Sequence, residues 1–568
     1  MHNERKAYAY EVAFSKAFKT AQPFNLAHFF RKGTKKMLRR LQCITAAGLA
    51  AVSLLAAGSA DAESGRLNMS YLYFGSTQSY IQYVDQSNGA LQIVSPSFLD
   101  LTADGSLQLT DKLDAEFVEQ MHKRGVKVVP FLSNHWERDK GRNALNNRVK
   151  LAEQIADAVA KYGLDGVNVD IENVTEADRD AYTDLVKLLR AKLPADKEVS
   201  VAVAANPGGW TEGWQASYDY AELARVSDYL MIMAYDETYE GVPEAGPVAS
   251  LSFVENSIRF ALTKAPADKL VLGIPFYGRY WLAGSSTSGA GISNEKAEEA
   301  VARFGGTKQY DEKAQSAWAT FTVRPGDAPF IVNYAPLAPG NYTVWYENDR
   351  SIQQKLTLVQ KFGLKGAGSW SLNQETKSTW DYFSMWLNGV YFRDLIGHWA
   401  QNDVLAMIAQ KWMVGVADDR FAPESPLTRA QAAAILVRAK GLGSAKPAAA
   451  NPFADVPSGH WAAKEIAIAK EEGLIEGTSA RTFAPDQPIK REEMAAMLAR
   501  VAGITASAAA KSAFGDVTTA QWSYAAIAAM TEKGILEGFP DGTFRPNGQM
   551  TRAQMAAVMN KASAWFAD

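Results

Sequence analysis

Cysteine is nearly absent from this chain. Its 568 residues hold one, Cys43, so the sequence beyond that point can form no disulfide and offers no thiol nucleophile. Histidine is scarce as well. The six are scattered, with no His-Glu-x-x-His or similar ligand spacing, so neither a metal centre nor a cofactor is expected. His398 and His460 recur at matching places and read as packing residues. A basic excess is lacking too: 59 Lys and Arg stand against 62 Asp and Glu, which argues against nucleic acid as a partner. Past residue 57 no apolar run is long enough to cross a bilayer, so no membrane span is expected in the mature chain. What remains is ordinary globular composition, 47% hydrophobic and 21% charged, at a length that accommodates two or more domains.

The N-terminus reads as an export signal. Arg39 and Arg40 precede an apolar run from Leu41 to Ala57, and Ala60-Asp61-Ala62 has the small-x-small form of a cleavage site. Cleavage is expected after Ala62, with Met37 as a candidate start. Residues 1–62 hold 10 of the basic and 3 of the acidic residues, which leaves a formal charge of −10 beyond them. That balance suits a secreted, soluble protein and argues against binding anionic polymers by bulk charge.

From residue 67, β-rich runs alternate with helical patterns. Eight runs, at 69–75, 91–101, 126–134, 166–172, 198–206, 227–236, 270–281 and 366–372, predict an α/β fold, a (β/α)8 barrel over residues 66–388. Its site is then expected at the carboxyl ends of the strands. The seventh and eighth runs lie too far apart for one helix, so a small α+β insertion is expected at about 282–350.

The fourth run, Leu-Asp-Gly-Val-Asn-Val-Asp-Ile-Glu at 164–172, is the most informative. Strand side chains alternate between faces, so Asn168, Asp170 and Glu172 share one face and Val167, Val169 and Ile171 the other. An inward row of two carboxyls and an amide is costly to desolvate without a purpose. Glu172 at the strand end is the best candidate for a proton donor. Asp170 beside it can raise its pKa by like charge and burial.

This pattern resembles the active-site motif of glycoside hydrolase family 18, Asp-x-x-Asp-x-Asp-x-Glu, here on Asp165, Asn168, Asp170 and Glu172. Asn168 departs from it, because an amide can hydrogen-bond but not take up charge. Met233-Ala-Tyr235-Asp236 matches the family's Met-x-Tyr-Asp, and Gly273-Ile-Pro-Phe-Tyr277-Gly-Arg279 its Gly-x-Pro-x-Tyr-Gly-Arg. The resemblance implies a retaining reaction in which the substrate's own N-acetyl oxygen attacks, Asp170 orients the acetamide and Tyr235 donates to it. It implies Asp236, Met233, Tyr277, Arg279 and Asp165 as substrate-binding groups, with Trp370 flooring the reacting subsite. Tyr73 and Phe98, near the ends of the first two strands, are weaker candidates. For Tyr235 and Asp236 both to serve, the sixth strand must end or bulge there.

Residues 167–174, 178–182 and 246–249 resemble the spore-cortex and cell-wall branch of that family. Its substrates are N-acetylglucosamine bonds in peptidoglycan, and chitin offers the same acetamide. A lectin-like protein on an inactive barrel is the competing reading; such relatives usually lack the acid, and Glu172 is present.

After Trp380 a repeat begins. Phe-x-Asp openings at 392, 453 and 514, Phe-x-Pro turns at 421, 483 and 544, and basic pentads at 427–431, 489–493 and 550–554 recur about every 62 residues. They resemble S-layer homology modules, expected as all-α units at 391–441, 452–502 and 513–566. By that resemblance they bind secondary cell-wall polysaccharide and hold the chain on the bacterial wall without a covalent link. Arg429, Arg491 and Arg552 are the cations that match.

Overall fold

The structure, a computed structural model, describes residues 65–286, 288–447, 452–504 and 512–566. The export-signal expectations fall on residues outside these. Among the described residues no helix is long and apolar enough to cross a membrane.

Eight parallel strand positions pair around a ring. Leu67–Leu72 lies between Gly366–Trp370 and Ile93–Pro96. The pairing continues through Lys127–Val128 and Phe131–Ser133, then Gly166–Asp170, Glu198–Ala204, Tyr229–Met233 and Leu270–Pro275, and returns to Gly366–Trp370. This is consistent with the expected (β/α)8 barrel. The second and third positions are each split in two; the break in the third falls at Pro130, which has no N–H to give a ladder. A short strand, Leu107–Leu109, pairs antiparallel with Leu99–Leu101 on the rim.

Alternation along the strands builds two cores. Val167, Val169 and Ile171 face outward and pack with Leu185, Val186 and Leu189 of the helix Arg179–Lys192. Inward-facing Met69, Tyr71, Phe131, Tyr229, Met231 and Met233 fill the barrel interior.

The expected seventh run proves to be two strands. Leu270–Pro275 stays in the barrel, while Tyr277–Leu282 turns away and pairs antiparallel with Gly340–Tyr346. Tyr277 and Arg279 therefore ride on the insertion, a five-stranded antiparallel sheet packed on the helix Asn294–Arg303. The stacked rings of Phe304, Phe321 and Tyr342 centre its core.

The repeats form helix pairs around one shared core. The pentads start helices at Arg429, Arg491 and Arg552. Thr428 and Thr551 are N-caps in capping boxes with Gln431 and Gln554. Each Phe-x-Pro turn holds its middle residue at positive φ (Ala422, Ala484, Arg545). The Asp of each Phe-x-Asp opening secures that strained turn: Asp394, Asp455 and Asp516 each accept two of its backbone N–H groups. Four isolated β-bridges, three of them between modules, accompany the helices among the described residues. The barrel's closing helix, Thr379–Leu387, contributes Met385 to the same core.

Candidate active site

The fourth strand delivers its polar row to the barrel mouth, and its end is clamped from both sides. Glu172 donates its N–H to Asn134 Oδ1 and accepts from Asn134 Nδ2, both at 2.8 Å. The Tyr218 hydroxyl donates to the Ile171 carbonyl at 3.0 Å. Gly141 leaves room for this clamp, since a Cβ there would stand 2.9 Å from Asn134 Nδ2.

Asp170 is buried, and its Oδ1 has no hydrogen-bond partner among the described residues. Burial pushes its carboxyl up to about 7. Glu172 is half-buried at the mouth and held well above the usual carboxylate range, by burial first and then by the charges of Asp170 and Asp236. Asn168 is fully buried. Its Oδ1 accepts from the Tyr71 hydroxyl at 3.0 Å and its Nδ2 donates to Ser200 Oγ at 2.9 Å.

The sixth strand ends at Met233, as the Tyr235-Asp236 pair requires. Met233 sits in the barrel's interior core. Tyr235 packs edge-on against Tyr277, ring centroids 6.0 Å apart. Gly273 makes space for it: a Cβ there would lie 2.9 Å from Tyr235 Cε1. Asp236 takes positive φ, and its Oδ1 accepts from Arg279 Nε at 3.1 Å and Nη2 at 2.6 Å. Arg279 is anchored in turn on the Gly289 carbonyl at 2.8 Å. Trp370 closes the group, with ring centroids 5.3 Å from Tyr71, 5.6 Å from Tyr73 and 5.9 Å from Phe131. Its peptide bond to Ser371 is cis.

Two expected site residues lie elsewhere. Asp165 precedes the fourth strand, at the opposite end of the barrel from Glu172. There it accepts from the Val128 N–H and contacts His122 at 2.7 Å, a structural tie between strand starts. Phe98 is fully buried in the outer core against Phe117, because the break in the second strand turns it away from the mouth.

The three repeat arginines are also not freely presented cations. Arg429 donates to the Phe483 carbonyl, the Glu476 carbonyl and Glu493. Arg491 donates to the carbonyls of Phe544 and Glu537, and Arg552 to those of Phe421 and Val414. Each guanidinium also lies over a turn phenylalanine, within 4.8 Å of the ring centroid. Each arginine thus grips the turn of the next module, and the third grips the first. The ring of three closes on itself.

The sequence reading passed over Tyr71, Ser200 and Asn134. The first two were open to the same alternation, since Tyr71 shares the inward face with Tyr73, and Ser200 sits between Val199 and Val201. Asn134 carried no such signal.

A ring of parallel strands with one buried and one half-buried carboxyl at its carboxyl end defines a barrel whose candidate site lies where such folds place chemistry. The profile of Glycosyl hydrolases family 18 matches residues 69–375, and that of the S-layer homology domain matches 391–433, 452–495 and 513–556. The chain belongs to glycosyl hydrolase family 18 and carries three S-layer homology domains. The cortical fragment-lytic enzyme of Bacillus subtilis (strain 168) is 28% identical over 262 residues, 44% of this chain and 58% of that one. A protein of the same organism provisionally named a sporulation-specific glycosylase, YdhD, is 30% identical over 269 residues, 46% of this chain and 60% of that one. The chain thus spans about 60% of the length of these relatives. The crystal structure of the Bacillus cereus spore cortex-lytic enzyme SleL shares the fold, with a TM-score of 0.51 at 19% identity over 58% of this chain and 76% of that one.

Proposed function

We propose that this chain is a secreted, surface-anchored glycoside hydrolase that cleaves β-linked N-acetylglucosamine polymers, peptidoglycan or chitin, by a retaining, substrate-assisted reaction. The observation that carries this reading is the carboxyl pair at the mouth. Burial, and after it the charges of Asp170 and Asp236, push the Glu172 carboxyl well above the usual carboxylate range, toward the protonated form a general acid needs. Glu172 protonates the leaving oxygen while the substrate's acetamide oxygen attacks the anomeric carbon. Asp170 accepts the acetamide N–H, and its ionised form steadies the positive charge that develops on the ring formed. Tyr235 donates to the acetamide oxygen, Trp370 floors the sugar, and Asp236, fixed by Arg279, holds a hydroxyl.

The relatives named as a cortical fragment-lytic enzyme and a sporulation-specific glycosylase support a cell-wall glycan as substrate, and chitin offers the same acetamide. The S-layer homology domains support attachment to the cell surface, and wall polysaccharide is their proposed partner.

Digesting purified peptidoglycan and chitin oligosaccharides with the chain and with Glu172→Gln tests the reading. New N-acetylglucosamine reducing ends from the wild type, at least about a thousandfold slower with Glu172→Gln, are expected. Binding of both polymers with no product from either would replace the hydrolase by a lectin.

A further inference from the structure

One carboxyl inside the barrel is left unused by this reaction. We propose that Glu198 is a positioning residue for the reaction centre, acting through Ser200 on the Asn168 amide. The inference rests on the hydrolase reading above.

Glu198 and Ser200 alternate inward on the fifth strand, and Ser200 is the register partner of Asn168. Three hydrogen bonds join them in series. The Tyr71 hydroxyl donates to Asn168 Oδ1 at 3.0 Å, Asn168 Nδ2 to Ser200 Oγ at 2.9 Å, and Ser200 Oγ to Glu198 Oε1 at 3.2 Å. Tyr71, Asn168 and Ser200 are fully buried, so bulk water does not compete for the first two links, while Glu198 at the lower end is partly exposed.

The direction of the chain is set at its lower end. A serine hydroxyl has one hydrogen. While Glu198 is ionised it accepts from Ser200 and from the Tyr229 hydroxyl, which also contacts Ser200, and Ser200 accepts from Asn168. The amide must then turn its oxygen toward Tyr71. A proton on Glu198 reverses every link without making or breaking a covalent bond. Glu198 donates to Ser200, Ser200 donates to an inverted amide, and Tyr71 accepts from that amide, which frees its own hydrogen. After burial, the Asp170 charge is the strongest influence on the Tyr71 hydroxyl. Polarity set at Glu198 thus reaches the site although Asn168 carries no charge, in place of the proton that an aspartate there could hold.

The groups facing Glu198 are Tyr229 from the sixth strand, Asp228 just before it, Ser200 from its own strand and Lys127 from the third. Lys197, next in sequence, pairs with Asp165 at 3.8 Å. Among these neighbours burial dominates and brings the Glu198 carboxyl to about 7, so both states of the chain are reached near neutrality.

The test has two arms. In the intact chain with asparagine side chains labelled in ¹⁵N, and with Asp170→Asn and Glu172→Gln throughout to remove the titrations of the site's own carboxyls, the Asn168 amide resonances are followed from about pH 5 to 9. Asn168→Asp assigns them. They should titrate with Glu198 present and stay flat in both Glu198→Gln and Ser200→Ala. The same titration persisting in Glu198→Gln overturns the proposal whether or not the chain cleaves any glycan. In the second arm, with Asp170 and Glu172 intact, each of the two substitutions should lower kcat about fivefold at little change in KM, and the pair together no further. Effects that multiply in the double variant also overturn it. A wild type without hydrolysis refutes the functional reading and leaves the first arm to decide this one.

Discussion

Asp170 is kept where it costs stability. Its folded-state carboxyl lies at about 7, against an ordinary value of 3.8, and the cause is burial. The folded chain therefore holds that proton more tightly than the unfolded chain does. The penalty is absent below about pH 4, grows until about pH 7 and is constant above it. Asp170→Asn should thus stabilise the protein at pH 7–8 by roughly 2–4 kcal/mol, with the gain gone at pH 4, while hydrolysis is lost. Thermal unfolding of both chains across that pH range measures it, and a gain independent of pH would contradict the burial argument. The carboxyls themselves were legible in the sequence, because period-two alternation with Val and Ile fixes which face they share. Phe98 and Asp165 were misplaced for a related reason. Alternation gives the face but not the point along the barrel axis where a strand breaks or begins, and both residues sit at such points.

The barrel strands were legible as elements because each is a compact apolar run, but the junction after Pro275 was not. Residues 270–281 form one unbroken apolar-rich stretch, and only pairing partners reveal that it serves two sheets. Packing at this junction gives a further prediction. A methyl at Gly273 would meet the Ile232 carbonyl at 2.4 Å and the Tyr235 ring at 2.9 Å. Gly273→Ala should therefore displace Tyr235 and lower kcat by about tenfold or more, with Glu172 untouched; unchanged kcat would show that Tyr235 is not held by this contact. Phe98→Ala, by contrast, empties a core site. It should cost about 3–5 kcal/mol of stability while leaving KM unchanged at temperatures where the chain stays folded. A raised KM there would return Phe98 to the cleft.

Across the whole molecule, the three modules act as one body closed by the arginine of each upon the turn of the next. The repeat itself was plain from spacing. The closure was not, since no sequence pattern says that Arg552 reaches back to Phe421, 131 residues earlier. Arg552→Ala should open the ring at the junction of the third and first modules and lower its stability by about 2–3 kcal/mol. Wall retention should fall, with kcat on soluble oligosaccharides unchanged. Sedimentation with isolated walls, beside a soluble assay, reads both, and intact retention would show that closure is not needed for anchoring. The carboxyl pair at the barrel mouth is tested most directly by proton NMR of a soluble N-acetylglucosamine oligosaccharide in the first minutes of cleavage. A retaining, acetamide-assisted reaction releases the β-anomer first and spares the de-N-acetylated oligosaccharide. The α-anomer appearing first, or equal cleavage of the de-N-acetylated substrate, would contradict it.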